Sequence, residues 1–587
     1  MQKVLLKAAL VTAAAALAVA SLVFAAQPSY RGTRAGKADE NYLTSRKCLA
    51  CHENHFASWA RTHHSRMTQE ATPATVQGDF TRDNSFDYLG VKARMTRQGN
   101  RFVMTLTLAN GQQQVYDIAR TVGSRRIEQY VAQQNGNYIR LPLAYDLMNK
   151  RWMSLNGSFF SPDSENYFQH QAQWDANCVF CHNVKAQPNF KPATRQFATE
   201  VAELGIACGA CHGQSATHAE AAASPLTRVL WRWRDAQDKH IVNPNKLTAE
   251  RSVMVCGHCH GQRVPVQMER IQEILGKGDP FNAGDDLHKF YQAVTRETKI
   301  GNFSFAQRFW NNGAPRLTAY EYQGLLQSPC FTKSLTASKT SQQPLTCLTC
   351  HSMHLGHEGD IKGQIKPENR TDQPCLKCHQ QLAAPPTLTA HTKHELTSEG
   401  SRCYNCHMPR AVYGVMSIHR THAITVPDAT LTTTQGVPNA CNQCHLDKSV
   451  NWTIAQSRQW WPQRFAASAT SADKAFDQAE GLRALFAGDA LTRALAAEAL
   501  RNSEWATPYL LEAFNDNYPI VRYFIAQSLM PRRADLPRLD YLATAAERER
   551  TAAIWWQAMQ ADKRAAIVAL AEKLRVLRVN NDIDVGE

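Results

Sequence analysis

The cysteines of this chain fall into one repeated pattern, which constrains the fold more than any other feature. Cys-x-x-Cys-His occurs eight times in 587 residues and takes sixteen of the seventeen cysteines. This spacing is typical of c-type haem attachment, in which two thiols bond to the porphyrin and the histidine coordinates the iron. Zinc sites or a disulfide framework would leave the histidine after every second cysteine unexplained. The motifs therefore predict eight covalently bound haem c groups.

Each motif supplies residues for two tasks. The predicted attachment residues are Cys48, Cys51, Cys178, Cys181, Cys208, Cys211, Cys256, Cys259, Cys347, Cys350, Cys375, Cys378, Cys403, Cys406, Cys441 and Cys444. The predicted proximal iron ligands are His52, His182, His212, His260, His351, His379, His407 and His445. Eight porphyrins add large apolar surfaces, so haem contacts are expected to replace much of an ordinary core.

The second ligand on each iron is sought among the remaining fourteen histidines. His258 lies between Cys256 and Cys259, which makes it a poor ligand and favours a surface position. Met67 or Met408 is an alternative ligand that would raise the potential of its haem. Because histidines outnumber the irons, a solvated or hydrogen-bonded side chain is the alternative for each candidate. The candidate distal ligands are His64, His170, His218, His240, His288, His354, His357, His391, His394, His419 and His422.

The amino terminus predicts export. Lys3 and Lys7 precede an apolar run over residues 8–26, and residues 23–25 fit a small-residue cleavage site, which together indicate a secretory signal at 1–26. An uncleaved single span is the alternative, although the run is rich in alanine. We expect a periplasmic protein with no stable membrane span after cleavage, or one placed at the cell surface or outside the cell.

The motifs divide the chain unevenly. We predict a first haem-binding segment at 40–79, a small β subdomain at 80–155, and a multihaem domain with seven haems at 156–446. Alternating apolar residues at 102–108 and two Asn-Gly pairs, at 110–111 and 135–136, indicate hairpins within the β subdomain. Pro142 indicates an edge strand or the end of a strand.

The segment 473–575 lacks cysteine and is predicted to be helical. Four of its residues recur at a spacing of 29, which is typical of stacked helix pairs and resembles HEAT repeats. They are Arg493, Ala497, Leu500 and Pro508, repeated as Arg522, Ala526, Leu529 and Pro537. An ordinary three- or four-helix cap is the alternative. The expected fold class is mainly α: a haem-packed multihaem cytochrome c with a small β subdomain and C-terminal helical repeats.

The formal charge of +14 does not indicate a nucleic-acid partner. A ferric haem with two ionised propionates carries about −1, so eight of them leave a net charge of about +6. The basic residues are therefore expected to compensate the haems, and no nucleic-acid recognition motif is present in the sequence.

Several segments resemble known multihaem cytochromes. Residues 403–409, read as Cys-Tyr-Asn-Cys-His-Met-Pro, are similar to a segment of pentahaem nitrite reductases and octahaem hydroxylamine oxidoreductases. Residues 59–67 and 208–218 resemble cytochrome c554-type modules, and the resemblance covers most of 45–446. It implies that His422 or His419 ligates the haem of the 403–409 segment. The Cys-x-x-Cys-Lys motif typical of nitrite reductases is absent from the sequence.

Two functions follow from these patterns. The first is an exported octahaem electron carrier between donor and acceptor redox proteins, with the helical C-terminal region docking a partner. The alternative is an oxidoreductase with one open haem that acts on nitrite, hydroxylamine or a sulfur oxyanion, a small anion that Arg263, Arg308 or Arg316 would bind. A scaffold with redox-silent haems is a third hypothesis. Cys330, the one cysteine outside the motifs, is expected to be a buried structural thiol, with an intermolecular disulfide or a reactive ligand or nucleophile as the alternatives.

Overall fold

A computed structural model describes residues 39–81, 84–163, 166–233, 238–337, 343–355, 364–559, 563–579 and 583. The predicted signal at 1–26 lies outside them. The strands are β1 Thr68–Glu70, β2 Asn84–Tyr88, β3 Val91–Gln98, β4 Arg101–Thr107, β5 Gln113–Val122, β6 Ile127–Gln134, β7 Asn137–Asp146, β8 Arg151–Ser154, β9 Ala172–Gln173, β10 Asn183–Gln187, β11 Glu200–Leu204, β12 Arg263–Pro265, β13 Tyr291–Ala293, β14 Lys299–Ile300, β15 Phe303–Ser304, β16 Arg410–Gly414 and β17 Ser417–Arg420.

Helices carry most of the motifs and the whole C-terminal region. They are α1 Ser45–Leu49, α2 Glu53–Ala60, α3 Val179–His182, α4 Cys208–His212, α5 Ala216–Ala223, α6 Pro225–Trp233, α7 Ala249–Gly257, α8 Ile271–Lys277, α9 Glu321–Gln327, α10 Pro329–Ala337, α11 Cys347–Cys350, α12 Gln373–Leu376, α13 Pro385–Thr392, α14 Cys403–His407, α15 Thr430–Gln435, α16 Val450–Trp460, α17 Pro462–Phe465, α18 Glu480–Ala487, α19 Ala490–Ala499, α20 Thr507–Ala513, α21 Pro519–Leu529, α22 Ala545–Ala558 and α23 Arg564–Arg575. Within the described residues, no helix combines the length and the apolar character needed to cross a bilayer.

An antiparallel sheet follows the first motif. Its strands run in the order β2 to β8, with β1 added beside β5 and β9 beside β7. The second Asn-Gly pair forms the two-residue turn between β6 and β7, since Asn135 and Gly136 both have positive φ. The sheet is larger than the small subdomain predicted at 80–155, because β1 and β9 extend it to residues 68 and 173.

Pro142 lies inside β7, and the expectation of an edge or strand end was wrong. Strand β7 is paired on one side with β6 and on the other with β8. The β6–β7 register shifts between Gln129 and Val131, whose partners are Ala144 and Arg140. The proline therefore sits where the ladder is interrupted, and its missing N–H costs no regular hydrogen bond there.

The C-terminal helices form pairs. Arg493 on α19 and Arg522 on α21, which are 29 residues apart in the sequence, are both fully buried. Each guanidinium donates to a backbone carbonyl just before its own helix, that of Gly488 or of Asp516. The equivalence ends at the last of the four pairs, because Pro508 lies in the first turn of α20 whereas Pro537 lies outside the helices. The HEAT-repeat assignment stays a prediction.

The helical region and the sheet share one hydrophobic core. Ion pairs join the helical region to the sheet and to the segment that follows β8: Arg151 with Asp540 at 3.0 Å, Arg522 with Asp163 at 3.0 Å, and Arg548 with Asp163 at 3.9 Å. The motif-bearing segments have only smaller apolar clusters. Helices account for 43% of the structure and strands for 18%, which agrees with a mainly α chain although the sheet is substantial.

A histidine-lined cavity as the candidate haem site

One continuous cavity of about 3480 Å³ runs through the motif-bearing part of the chain. All eight motif histidines line it, and so does every motif cysteine except the exposed Cys51. The sequence places these residues at intervals across about 400 positions, from Cys48 to His445. The fold therefore brings motif residues that are far apart in the sequence to the wall of a single cavity.

A single helical turn arranges each motif. The backbone N–H of the motif histidine donates to the carbonyl of the first cysteine, at 2.9 Å from His52 to Cys48 and 2.8 Å from His260 to Cys256. Residues three and four apart lie on the same side of a helical turn. The two thiols and the imidazole of a motif thus face the cavity together, except in the first motif, where Cys51 is exposed.

Six motif histidines face a second histidine ring across the cavity. Two imidazoles bound to one metal, with bonds of roughly 2 Å and about 1.1 Å from each nitrogen to its ring centroid, have centroids about 6 Å apart. The observed centroid distances are 6.0 to 6.5 Å. The pairs are His52 with His218, His212 with His354, His260 with His64, His351 with His422, His407 with His391, and His445 with His394.

Hydrogen bonds at Nδ1 orient the paired rings. The Nδ1–H groups of His212 and His407 donate to the carbonyls of Val242 and Thr425, at 2.7 and 2.8 Å. A bond at Nδ1 leaves the Nε2 lone pair for a metal. Nδ1 is bonded in the same way in three rings of the opposite set: His64 to Gln364 Oε1 at 2.6 Å, His218 to Asp238 Oδ2 at 2.5 Å, and His394 to the Thr392 carbonyl at 2.7 Å.

Burial keeps most of these rings neutral, as metal ligands must be. It lowers the pKa of His64, His351 and His354 to about 4. His260 differs, because burial lowers its pKa but the Glu321 carboxylate, 3.6 Å from Nδ1, outweighs this and raises the pKa to about 9. A carboxylate in this position increases the basicity of a ligating imidazole.

Two glycines make room for ligand histidines. A Cβ on Gly400 would lie 2.2 Å from Cδ2 of the His394 ring. Gly205 has a φ of +75°, and a Cβ there would lie 2.8 Å from the Ser65 carbonyl oxygen. The next residue, Ile206, donates its N–H to the His64 carbonyl at 2.9 Å. The donor set, its spacing and its hydrogen bonds fit iron held between two imidazoles.

The structure divides the candidate distal ligands into those that face a motif histidine and those that do not. His170, His240 and His288 do not line the cavity, and Nε2 of His170 is 2.8 Å from Ser161 Oγ. His357 lies outside the described residues. His419 lines the cavity with its ring stacked on Tyr413 at 4.5 Å. Six of the candidates therefore face motif histidines at ligand spacing.

Two expectations are corrected. The resemblance implied that His422 or His419 ligates the haem of the 403–409 segment, but His407 faces His391, and His422 faces His351. His258 was expected at the surface, yet its Nε2 is bonded to Asp279 at 2.7 Å and its ring stacks on Phe281. Both differences arise from contacts between distant segments.

Neither His182 nor His379 has a histidine ring at ligand spacing within the described residues. His182 is half-buried and its Nδ1 has no hydrogen-bond partner. His379 is exposed. These two motifs differ from the other six.

Sequence reasoning missed the residues that fix the rings. Asp238, Glu321 and Gln364 hold Nδ1 atoms, and Arg125, Arg126 and Arg140 line the cavity without an ion pair in the part of the chain that is described. Of the arginines proposed from sequence as anion ligands, Arg316 pairs with Asp489, and Arg263 lies 3.5 Å from Asp279. No short sequence motif predicts any of these hydrogen bonds or ion pairs.

Comparison with protein families gave a match to cytochrome c554 and c-prime over residues 47–106, which include the first motif. The match supports a multihaem c-type cytochrome with covalently bound haem c, iron binding and electron transport. Comparison with curated proteins gave no match.

Comparison with solved structures gave the crystal structure of the outer cell wall cytochrome OcwA. The two chains are 15% identical, with 91% of this chain and 100% of that chain covered, and the TM-score is 0.44. A score at this level does not establish a shared fold.

Proposed function

We propose that the chain is an exported octahaem c-type cytochrome that relays electrons through closely spaced haems, at least six of them bis-histidine ligated. The observation that carries the proposal is the set of six facing histidine pairs, each with one ring from a Cys-x-x-Cys-His motif. When bound, haem iron supplies reversible one-electron transfer. The paired histidines would hold each of these six irons, and the cavity walls would orient and enclose the porphyrins.

Contacts between cysteines of different motifs support a continuous path. The side chains of Cys48 and Cys208 are close enough to shift each other's pKa, and the same holds for Cys256 with Cys347 and for Cys375 with Cys403. Haems attached at such thiols would have neighbouring edges, which favours electron tunnelling between them.

Further motif cysteines are near enough to raise one another's pKa: Cys256 acts on Cys211, Cys375 on Cys350, and Cys406 on Cys441. From these neighbours we infer that the haems follow one another in the order of the first, third, fourth, fifth, sixth, seventh and eighth motifs. The second motif branches from the fourth through Cys181 and Cys259.

Export and partners complete the proposal. The sequence of residues 1–26 and the need for haem attachment outside the cytoplasm support a periplasmic, cell-surface or extracellular location. The helical region packs its inner face on the sheet, so a donor or acceptor protein would dock on its outer face.

Intact mass and spectroscopy test this function. The purified protein should carry eight haems by mass, and ferric EPR should show at least six low-spin haems. Replacing Cys441 and Cys444 with serine should remove one haem, whereas Cys330→Ser should remove none. A wild-type mass short of eight haems, or fewer than six low-spin haems, would overturn the proposal.

A further inference from the structure

Helix α6, Pro225–Trp233, lies at the surface although five of its nine residues are leucine, valine or tryptophan. No residue of this helix is buried, and none lines the histidine-lined cavity. Haems bound in that cavity would therefore not cover it. The sequence of the helix contains two arginines and no acidic residue.

The apolar side chains of α6 form a stripe that points outward. Leu226, Val229 and Trp233 follow one another at spacings of three and four, so they lie on one face of the helix. Their exposed fractions are 67%, 60% and 79%. A surface helix of a globular domain normally turns such a stripe towards the core. In α6 the stripe is turned to the outside, and no element within the described residues covers it.

The opposite face of α6 packs on α5. The Trp231 ring is stacked on the His218 ring, with centroids 5.6 Å apart and 8° between the planes. The Arg228 guanidinium donates to the Ala222 carbonyl at 2.6 Å. His218 is also the ring that faces His52 of the first motif. The apolar stripe is thus separated from the proposed distal ligand of the first haem by about the width of one helix, roughly 10 Å.

This arrangement fits a lipid surface. Tryptophan is favoured where a bilayer meets water, because its ring is apolar and its indole N–H is polar. Arg232 is exposed and comes three residues after Val229, so it lies next to the stripe and adds a positive charge there. Anionic lipid headgroups attract such charges, and a helix that lies in the interface needs apolar area and basic residues rather than a shaped pocket.

We propose that α6 lies on an anionic bilayer surface, with Leu226, Val229 and Trp233 inserted at the interface and Arg232 among the headgroups. On the proposed haem ligation, this contact would place the first haem, at one end of the inferred order, next to the membrane. An acidic redox protein is the competing occupant. The bilayer is favoured because the stripe is three side chains on one helix about 13 Å long, whereas a specific protein interface of standard size takes about 20–30 residues from each partner.

Co-sedimentation of the purified eight-haem protein with vesicles tests the apolar contact, with haem absorbance as the readout. Wild type should bind vesicles of phosphatidylglycerol and phosphatidylcholine in equal amounts. The triple variant Leu226→Ser/Val229→Ser/Trp233→Ser should bind them more weakly by about tenfold or more. The matched control, Val115→Ser/Met148→Ser/Val576→Ser, removes three other exposed apolar side chains and should bind as wild type does.

A charge variant tests the headgroup contact. Arg232→Gln should weaken binding to the anionic vesicles about fivefold and leave any binding to pure phosphatidylcholine vesicles unchanged. Its control is Lys92→Gln, which removes an exposed positive charge from the sheet and should match wild type. Both stripe and charge variants should keep eight haems by mass and the wild-type low-spin EPR signal, because the replaced side chains are exposed.

Three results would overturn this inference. The first is a wild-type protein that does not sediment with the anionic vesicles. The second is an equal loss of binding in the two triple variants, or equal binding of wild type to anionic and to pure phosphatidylcholine vesicles. The third is binding of flavodoxin, a small acidic redox protein, that only the stripe variant loses while vesicles are not bound, which would assign the surface to a protein. A wild-type haem count below eight would instead count against the proposed function.

Discussion

Replacing His64 with alanine tests the assignment of ligands across the fold. The His64 and His260 rings are 6.0 Å apart although the residues come from the first and fourth motif regions. The Nδ1–H of His64 is held by Gln364, so its Nε2 is the atom available to the iron. The alanine side chain has no atom that could coordinate the iron in place of Nε2.

The expected change in the number of low-spin haems follows from the number of facing histidine pairs. Six facing pairs give six low-spin haems, and His64→Ala should leave five. One haem in eight would therefore move from low spin to high spin, while the haem count by mass stays at eight because Cys256 and Cys259 are untouched.

Quantitative EPR of the ferric protein, with wild type measured beside it, is the assay. His240→Ala is the matched control, since His240 is exposed and does not line the cavity. The reasoning is refuted if His64→Ala keeps the wild-type low-spin intensity, or if His240→Ala loses the same amount.

Three further predictions concern stability and the odd cysteine. Arg493→Met removes the guanidinium at 2.8 Å from the buried Asp516 carboxylate, which keeps Arg578 at 3.8 Å. It should therefore lower the free energy of unfolding by about 3 kcal/mol, the lower end of the range for a broken buried pair, measured by denaturant titration; a loss below about 1 kcal/mol would contradict it. Burial raises the pKa of Glu128 from 4.5 to about 7, so its stabilising contribution is complete below about pH 4.5 and is lost as pH rises through about 7. Glu128→Gln should flatten the melting temperature over that range, and an unchanged pH profile would disprove this. Burial also raises the pKa of Cys330, which is near Cys375 and Cys378, and Cys330→Ser should leave the low-spin EPR signal unaltered; a changed signal would make the thiol an iron ligand.

Local patterns predicted the local features. The eight motifs and the hairpin at Asn135 and Gly136 depend on residues within a few positions of one another, and the structure has them where expected. His391 and His394, three residues apart, were both proposed as ligands, yet they face different motifs, at His407 and His445.

Pairing over long distances could not be predicted. His64 follows the first motif but faces the fourth, and His354 follows the fifth but faces the third, at His212. Which histidine faces which motif depends on how distant segments pack against each other. No period or spacing in a single sequence indicates that packing. Strands β1 and β9 were missed for a related reason, since two or three residues are too few to display an alternation.

The apolar core and the histidine-lined cavity lie in different parts of the chain. The largest core joins the sheet to the helical region and includes no motif cysteine within the described residues. That part packs through its own apolar side chains, whereas the motif segments surround a cavity of about 3480 Å³, and residues of β5, β6 and β7 form part of its wall. The second motif packs on that wall through Val179, and within the described residues it is one of the two motifs whose histidine faces no second histidine ring.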